Sequence, residues 1–100
     1  LIIIRDYCRT RNIQLLFLVL PIAQQFGAKS GTSLIDYGLP ERKFVSLLKT
    51  LEIPHMQFPE LLKTHTKNHP VVQFDGHLNT RGHALVAHRI EELFKKKIIL

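Results

Sequence analysis

Residues 13–20 read Ile-Gln-Leu-Leu-Phe-Leu-Val-Leu, almost without a polar interruption, and Pro21 stops them. A run this short, rich in β-formers and apolar at every other position and between, is the pattern of a parallel strand covered on both faces. It is far short of the roughly 20 residues that span a bilayer as a helix. A strand of this kind needs layers above and below it and neighbours beside it, so it restricts the fold to the α/β class.

The flanking segments supply such layers. Residues 1–10 (LIIIRDYCRT) place Ile3, Ile4, Tyr7 and Cys8 at helical spacing, and Arg11-Asn12 turns the chain towards the strand. Residues 27–40 hold three glycines and a proline and predict a loop, without the spacing of a phosphate-binding loop. Residues 41–52 predict a helix with Phe44, Leu47, Leu48 and Leu51 on one face. Ile53 to Phe58 predicts a second short strand with Pro54 at its start, and Pro59 opens a short helix through His65. Residues 65–70 predict a loop, and Val71-Val72-Gln73-Phe74 a brief extended piece. From Asn79 a last helix runs to about Lys96, with Val86, Ile90, Leu93 and Phe94 on its buried stripe. Helix, strand, helix, strand, helix is the rhythm of a layered α/β fold with a parallel sheet. Two strands make a poor independent sheet, so the sequence predicts one part of a larger sheet.

Charge does not point to a polyanion. The 100 residues carry 14 basic and 8 acidic side chains, +6 in all, but the cations are scattered and only Lys95-Lys96-Lys97 forms a run. Lysines ending a helix are favoured by its C-terminal dipole, and neither zinc-finger spacing nor an RNP-type aromatic motif accompanies them. Nucleic acid is therefore not an expected partner. Cys8 has no second cysteine to pair with and reads as a small buried residue, leaving the compartment open. No signal peptide is visible. The sequence opens on Leu1 rather than Met, which leads us to expect an excised piece or a processed product.

The chemistry-bearing residues gather between the last strand region and the last helix, in "FDGHLNTRGHALVAHRIEELF", residues 74–94. Loops beyond the carboxyl ends of strands are where open α/β sheets place function. Asp75 stands two residues before His77, close enough to accept a hydrogen bond from Nδ1–H, fix the tautomer and leave Nε2 as a base. Taken alone, an Asp-x-His pair in a loop is more often a solvated or structural pair than a catalytic one. Asn79 is a good N-cap, and Gly82 lets backbones pack closely in the first turn. His83 and His88 do not share a helix face, so no metal site is expected; His55, His65 and His69 read as structural or solvated.

The run "DGHLNTRGHALVAHRIEELF" resembles the last block of the SGNH (GDSL-type) hydrolases, in which an Asp and the catalytic His precede the C-terminal helix. "CRTRNIQLLFLVLP" resembles that family's helix, turn and strand ending in Pro, and "LLKTLEIPHMQFPELLKTH" its next helix and strand. The likeness covers most of residues 5–95, and its specific part is the last twenty residues. The resemblance implies a flavodoxin-like three-layer α/β fold, His77 as general base and Asp75 as the acid that orients it. It implies an ester substrate, whether small molecule, lipid or carbohydrate, and no cofactor. The commoner family spacing, Asp-x-x-His, would put the acid at Phe74; here Asp75 gives the shorter form. The family's Gly-Asp-Ser nucleophile motif and its oxyanion-hole residues are not in the sequence. Ser30 and Ser33 lie in a loop after the wrong strand, and Ser46 faces outward on a helix.

Acyl transfer needs a nucleophile within reach of the base and donors aimed at the oxyanion. Residues 1–100 are therefore expected to be the C-terminal portion of an SGNH-like hydrolase domain that supplies His77 and Asp75. The isolated chain is expected to be inactive and, with an uncovered strand edge, to self-associate. The alternative is a non-catalytic α/β interaction module that retains the block; a basic nucleic-acid-binding domain is a more distant one.

Overall fold

A computed structural model describes residues 1–27, 35–73 and 75–96 of the chain. It is a mixed α/β structure. Among the described residues, five helices and two strands follow in the order α1 (Ile2–Thr10), β1 (Phe17–Val19), α2 (Ala23–Gly27), α3 (Leu39–Thr50), β2 (His55–Gln57), α4 (Pro59–Thr64) and α5 (Thr80–Lys95). No helix among the described residues is long and apolar enough to cross a membrane.

The strands pair in parallel, with Phe17 opposite His55, Leu18 opposite Met56 and Val19 opposite Gln57. Parallel partners need a crossover, and α3 lies on it. Alternate residues of a strand point to opposite faces, and the two apolar clusters follow that alternation. Phe17 and Val19 meet Val45 and Leu48 of α3 together with Ile53. Leu16 and Met56 join the second cluster, where Phe58, Leu61 and Val71 are buried under Leu85, Val86, Ile90 and Leu93 of α5. The small sheet thus lies between α3 on one side and α4 with α5 on the other.

Both helices that feed the strands end in the same way. Ile13 N–H donates to Cys8 O at 2.8 Å and Asn12 N–H to Arg9 O at 3.3 Å; Ile53 N–H donates to Leu48 O at 2.9 Å and Glu52 N–H to Lys49 O at 3.1 Å. These are Schellman closures, which place the residue after the cap in the left-handed region. Asn12 and Glu52 occupy it, at φ 54° and 55°. The isoleucine that follows each one starts the run into its strand. Arg5 and Arg9 of α1 then donate to the carbonyls of Leu51 and Glu52, at 3.2 and 3.0 Å. Two cations thereby meet the carbonyl end of α3, where the helix dipole favours them. α1 consequently lays Arg5 and Arg9 over the end of α3, and Ile2, Ile3, Ile4 and Tyr7 stay exposed.

Several expectations are refined. The eight-residue strand is paired over only three residues, because β2 is bracketed by Pro54 and Pro59 and offers no longer ladder. Its coverage is incomplete as well: Leu18 is 42% exposed. Pro40 belongs to the first turn of α3, which begins at Leu39; a proline there gives up an N–H that the helix would not have used. Of the rest of the expected loop, residues 28–34, including Ser30 and Ser33, lie outside the described residues, as do Phe74 and Lys97. Phe94 is 49% exposed. It stands a full 100° step around the helix from Leu93, beyond the reach of the cluster, and Leu85 fills the stripe instead. Cys8 is buried as expected.

Candidate functional site

The Asp75–His77 segment is the tip of a hairpin. Val72 and Leu78 form an antiparallel bridge. Inside it, Gln73 N–H donates to His77 O at 2.7 Å and Gly76 N–H to Gln73 O at 3.0 Å. Gly76 has φ 87°. A narrow closing pair, a three-residue loop and a left-handed glycine are the marks of the hairpin that carries a G1 bulge, for which Asp-Gly is a strong local signal. Gly76 is required for a second reason: a Cβ on it would stand 2.2 Å from the Cβ of Ala23. The loop is therefore pressed against the first residue of α2, just beyond the carboxyl end of β1.

This turn brings the two candidate side chains together. Asp75 Oδ2 lies 3.0 Å from His77 Nδ1, inside the range in which a carboxylate orients an imidazole. Because a carboxylate can only accept, Nδ1 carries the proton of that hydrogen bond, which leaves Nε2 as the lone-pair nitrogen of the neutral ring. Asp75 Oδ1 also accepts from the His77 backbone N–H at 3.1 Å. The side-chain hydrogen bond from His77, followed by this backbone one, holds the Asp75 carboxyl below its ordinary value. The His77 ring is 81% exposed, and Asp75 is half exposed.

The hairpin is anchored by Asn79. Its backbone N–H donates to Val71 O at 3.0 Å, its Nδ2 to Pro70 O at 2.8 Å, and its Oδ1 accepts from Gly82 N–H at 2.9 Å. The last of these is the N-cap expected for α5. Gly82 lets α5 approach Val71 directly, since a Cβ there would stand 2.2 Å from the Val71 carbonyl oxygen. Fixing both the start of α5 and the strand arm at Val71 fixes the loop between them.

Three of the other five histidines have local duties. His55 Nδ1 donates to Ile53 O at 2.9 Å. His65 Nδ1 accepts from Val71 N–H at 3.2 Å, and its ring packs edge-on against Phe26 with centroids 5.2 Å apart. His88 Nε2 lies 3.4 Å from Glu92 one turn along α5. Among the described residues no group of three or more His, Cys, Asp or Glu could hold a metal ion. Ser46 is exposed on α3, as expected.

A cleft of about 770 Å³ opens elsewhere, between α1, the run into β1, β2 and the second half of α5. Its lining includes Arg5, Arg9, His55, Met56 and Arg89 but neither Asp75 nor His77. The His77 ring is open to solvent and does not face this cleft. No protein-family model, curated protein or solved structure matches the chain.

Proposed function

We propose that the chain is the C-terminal part of an SGNH-type ester hydrolase, in which His77 is the general base and Asp75 the residue that orients it. The nucleophilic serine and the oxyanion donors would lie outside these 100 residues. The observation that carries the reading is the 3.0 Å contact of Asp75 Oδ2 with His77 Nδ1, made in a loop beyond the carboxyl end of a parallel strand, with Nε2 left as the base. Support for a flavodoxin-like three-layer arrangement comes from the parallel pair lying between two helical layers, with clusters on both faces.

In this mechanism the serine hydroxyl attacks the carbonyl of a small-molecule, lipid or carbohydrate ester while His77 Nε2 takes its proton. The imidazolium that forms is stabilised by the Asp75 carboxylate, and Nε2 then returns the proton to the departing alcohol. Asp75 stays ionised throughout, which agrees with its depressed pKa.

A second reading has an observation of its own. Asp75 caps the His77 backbone N–H, and Asp-Gly suits the hairpin without any chemistry. A non-catalytic α/β interaction module would retain that turn equally well. Serine-reactive fluorophosphonate labelling and ester turnover by the complete natural polypeptide separate the two. The hydrolase reading expects a labelled serine outside the chain, activity abolished by His77→Ala, and a fall of up to about 10⁴-fold for Asp75→Asn. Full activity in His77→Ala, or no labelled serine, overturns it.

A further inference from the structure

We infer that two copies of the chain pair through the free edge of β1, in antiparallel register about a two-fold axis at Leu18. The inference does not rest on the reading of Asp75 and His77.

It starts from the direction of the backbone groups. Phe17 N–H donates to Pro54 O at 3.0 Å, so Phe17, and by alternation Val19, turn their polar groups towards β2. The N–H and C=O of Leu18 point the other way. Among the described residues the sheet consists of β1 and β2 alone, and none of them forms a strand beyond that edge. Proteins protect such edges with lysine, proline or a bulge. Here the whole run 13–20 contains no charged residue and no proline. An apolar small molecule or a lipid would cover the leucines but leave the Leu18 amide and carbonyl without partners, at a cost of a few kcal/mol. The occupant that satisfies both is a β-strand.

The chain's own β1 has the required symmetry. An antiparallel register centred on Leu18 makes Leu18 its own partner in a doubly hydrogen-bonded pair and sets Phe17 opposite Val19 of the second copy. Leu16 and Leu20, on the same face as Leu18, exchange places across the axis. The segment reads Leu-Phe-Leu-Val-Leu in one direction and Leu-Val-Leu-Phe-Leu in the other, so the self-match is apolar throughout. No like charges meet across it, in spite of the net charge of +6. The half-exposed Leu18 and Leu20 become covered by their counterparts. Two marginal two-stranded sheets become one of four strands, above the three that independent stability normally requires. A two-fold axis also closes this contact at two copies, because the pairing uses up the outer edge of β1 in both.

Sedimentation equilibrium of the 100-residue chain is the test. The expected mass is twice the 11.6 kDa of the monomer. Leu18→Pro removes the outward N–H without touching a β1–β2 bond and should return the mass to 11.6 kDa. Leu18→Lys, which keeps the backbone intact and guards the edge with a charge, should do the same; far-UV circular dichroism confirms that each variant is folded. A wild-type chain that stays monomeric at high concentration overturns the inference. So does a dimer that both Leu18 variants leave intact and Ile3→Glu dissolves, which would assign the contact to the exposed isoleucines of α1.

Discussion

Replacing Gly82 with alanine sets two ordinary effects against each other, and the structure decides the sign. On helix propensity alone the change is favourable, by up to about 1 kcal/mol in a helix interior. The position is the third of α5, where the backbone N–H is already capped by Asn79 at 2.9 Å. The added methyl would stand 2.2 Å from the Val71 carbonyl oxygen and 2.9 Å from Leu78 Cδ2. The leucine tip can rotate away, but the carbonyl cannot. Val71 is fully buried in the second core cluster, and its oxygen accepts the Asn79 N–H at 3.0 Å. Restoring an ordinary contact moves helix and strand arm apart by roughly 1 Å, and overpacking of that kind costs about 1–3 kcal/mol. Loss of alignment in the Asn79–Val71 hydrogen bond adds about 1 kcal/mol. The net expectation is a destabilisation of about 1–3 kcal/mol. With a urea slope of about 1–3 kcal/mol per molar for a chain of this size, the unfolding midpoint should fall by roughly 1 M. Far-UV circular dichroism in urea measures it, with the exposed Ala84→Gly as a probe of propensity without a clash. A midpoint that Gly82→Ala leaves unchanged or raises would refute the close approach of α5 to Val71, and with it the anchoring of the hairpin.

Other outcomes follow from the same geometry. Glu52→Gly should raise stability by about 1 kcal/mol, since a glutamate held at φ 55° pays a left-handed penalty that glycine avoids; thermal unfolding reads it, and a lower midpoint would contradict the Schellman closure of α3. The Asp75 carboxyl should titrate below 3.8 in a carbon-detected NMR titration, and His77→Ala should raise it, because the His77 side chain is the main cause of its depression. The sign for stability follows: a depressed carboxyl favours the folded state above its unfolded value, and that contribution disappears as pH falls below 3.8. The isolated chain should not turn over a p-nitrophenyl ester. Turnover abolished both by His77→Ala and by substitution of Ser30, Ser33 or Ser46 would show that one of these serines acts as nucleophile.

The helices were the legible part of the fold, for a physical reason. In α3 and α5 the apolar residues recur at helical spacing because one stripe packs, although Leu47 stands off it at 45% exposed; α1 has the same spacing, yet of its apolar residues Cys8 alone is buried. The strand was over-read because a ladder extends only as far as its shorter partner, and the prolines at 54 and 59 limit that partner locally. α2 is only five residues long, too short for a period to register. Glu52 gave no sign of its left-handed backbone, since that conformation is imposed by the closure of α3 and not preferred by glutamate. At the site, the Asp75–His77 contact and the Asn79 cap were readable from spacing and residue type. The hairpin that makes the contact is signalled by Asp75-Gly76 lying between Val71-Val72 and Leu78. The exposure of the His77 ring could not be read, because it depends on what lies against the loop in space.

The tautomer of His77 tests the central claim most directly. If Asp75 orients the ring as the 3.0 Å contact indicates, imidazole nitrogen-15 shifts at a pH where the ring is neutral should show the proton on Nδ1 and the lone pair on Nε2. Asp75→Ala should then return the ring towards the Nε2–H form that free histidine favours. A neutral His77 that carries its proton on Nε2 in the unaltered chain, or a tautomer that Asp75→Ala leaves unchanged, would contradict the account and leave the pair as a turn without a base.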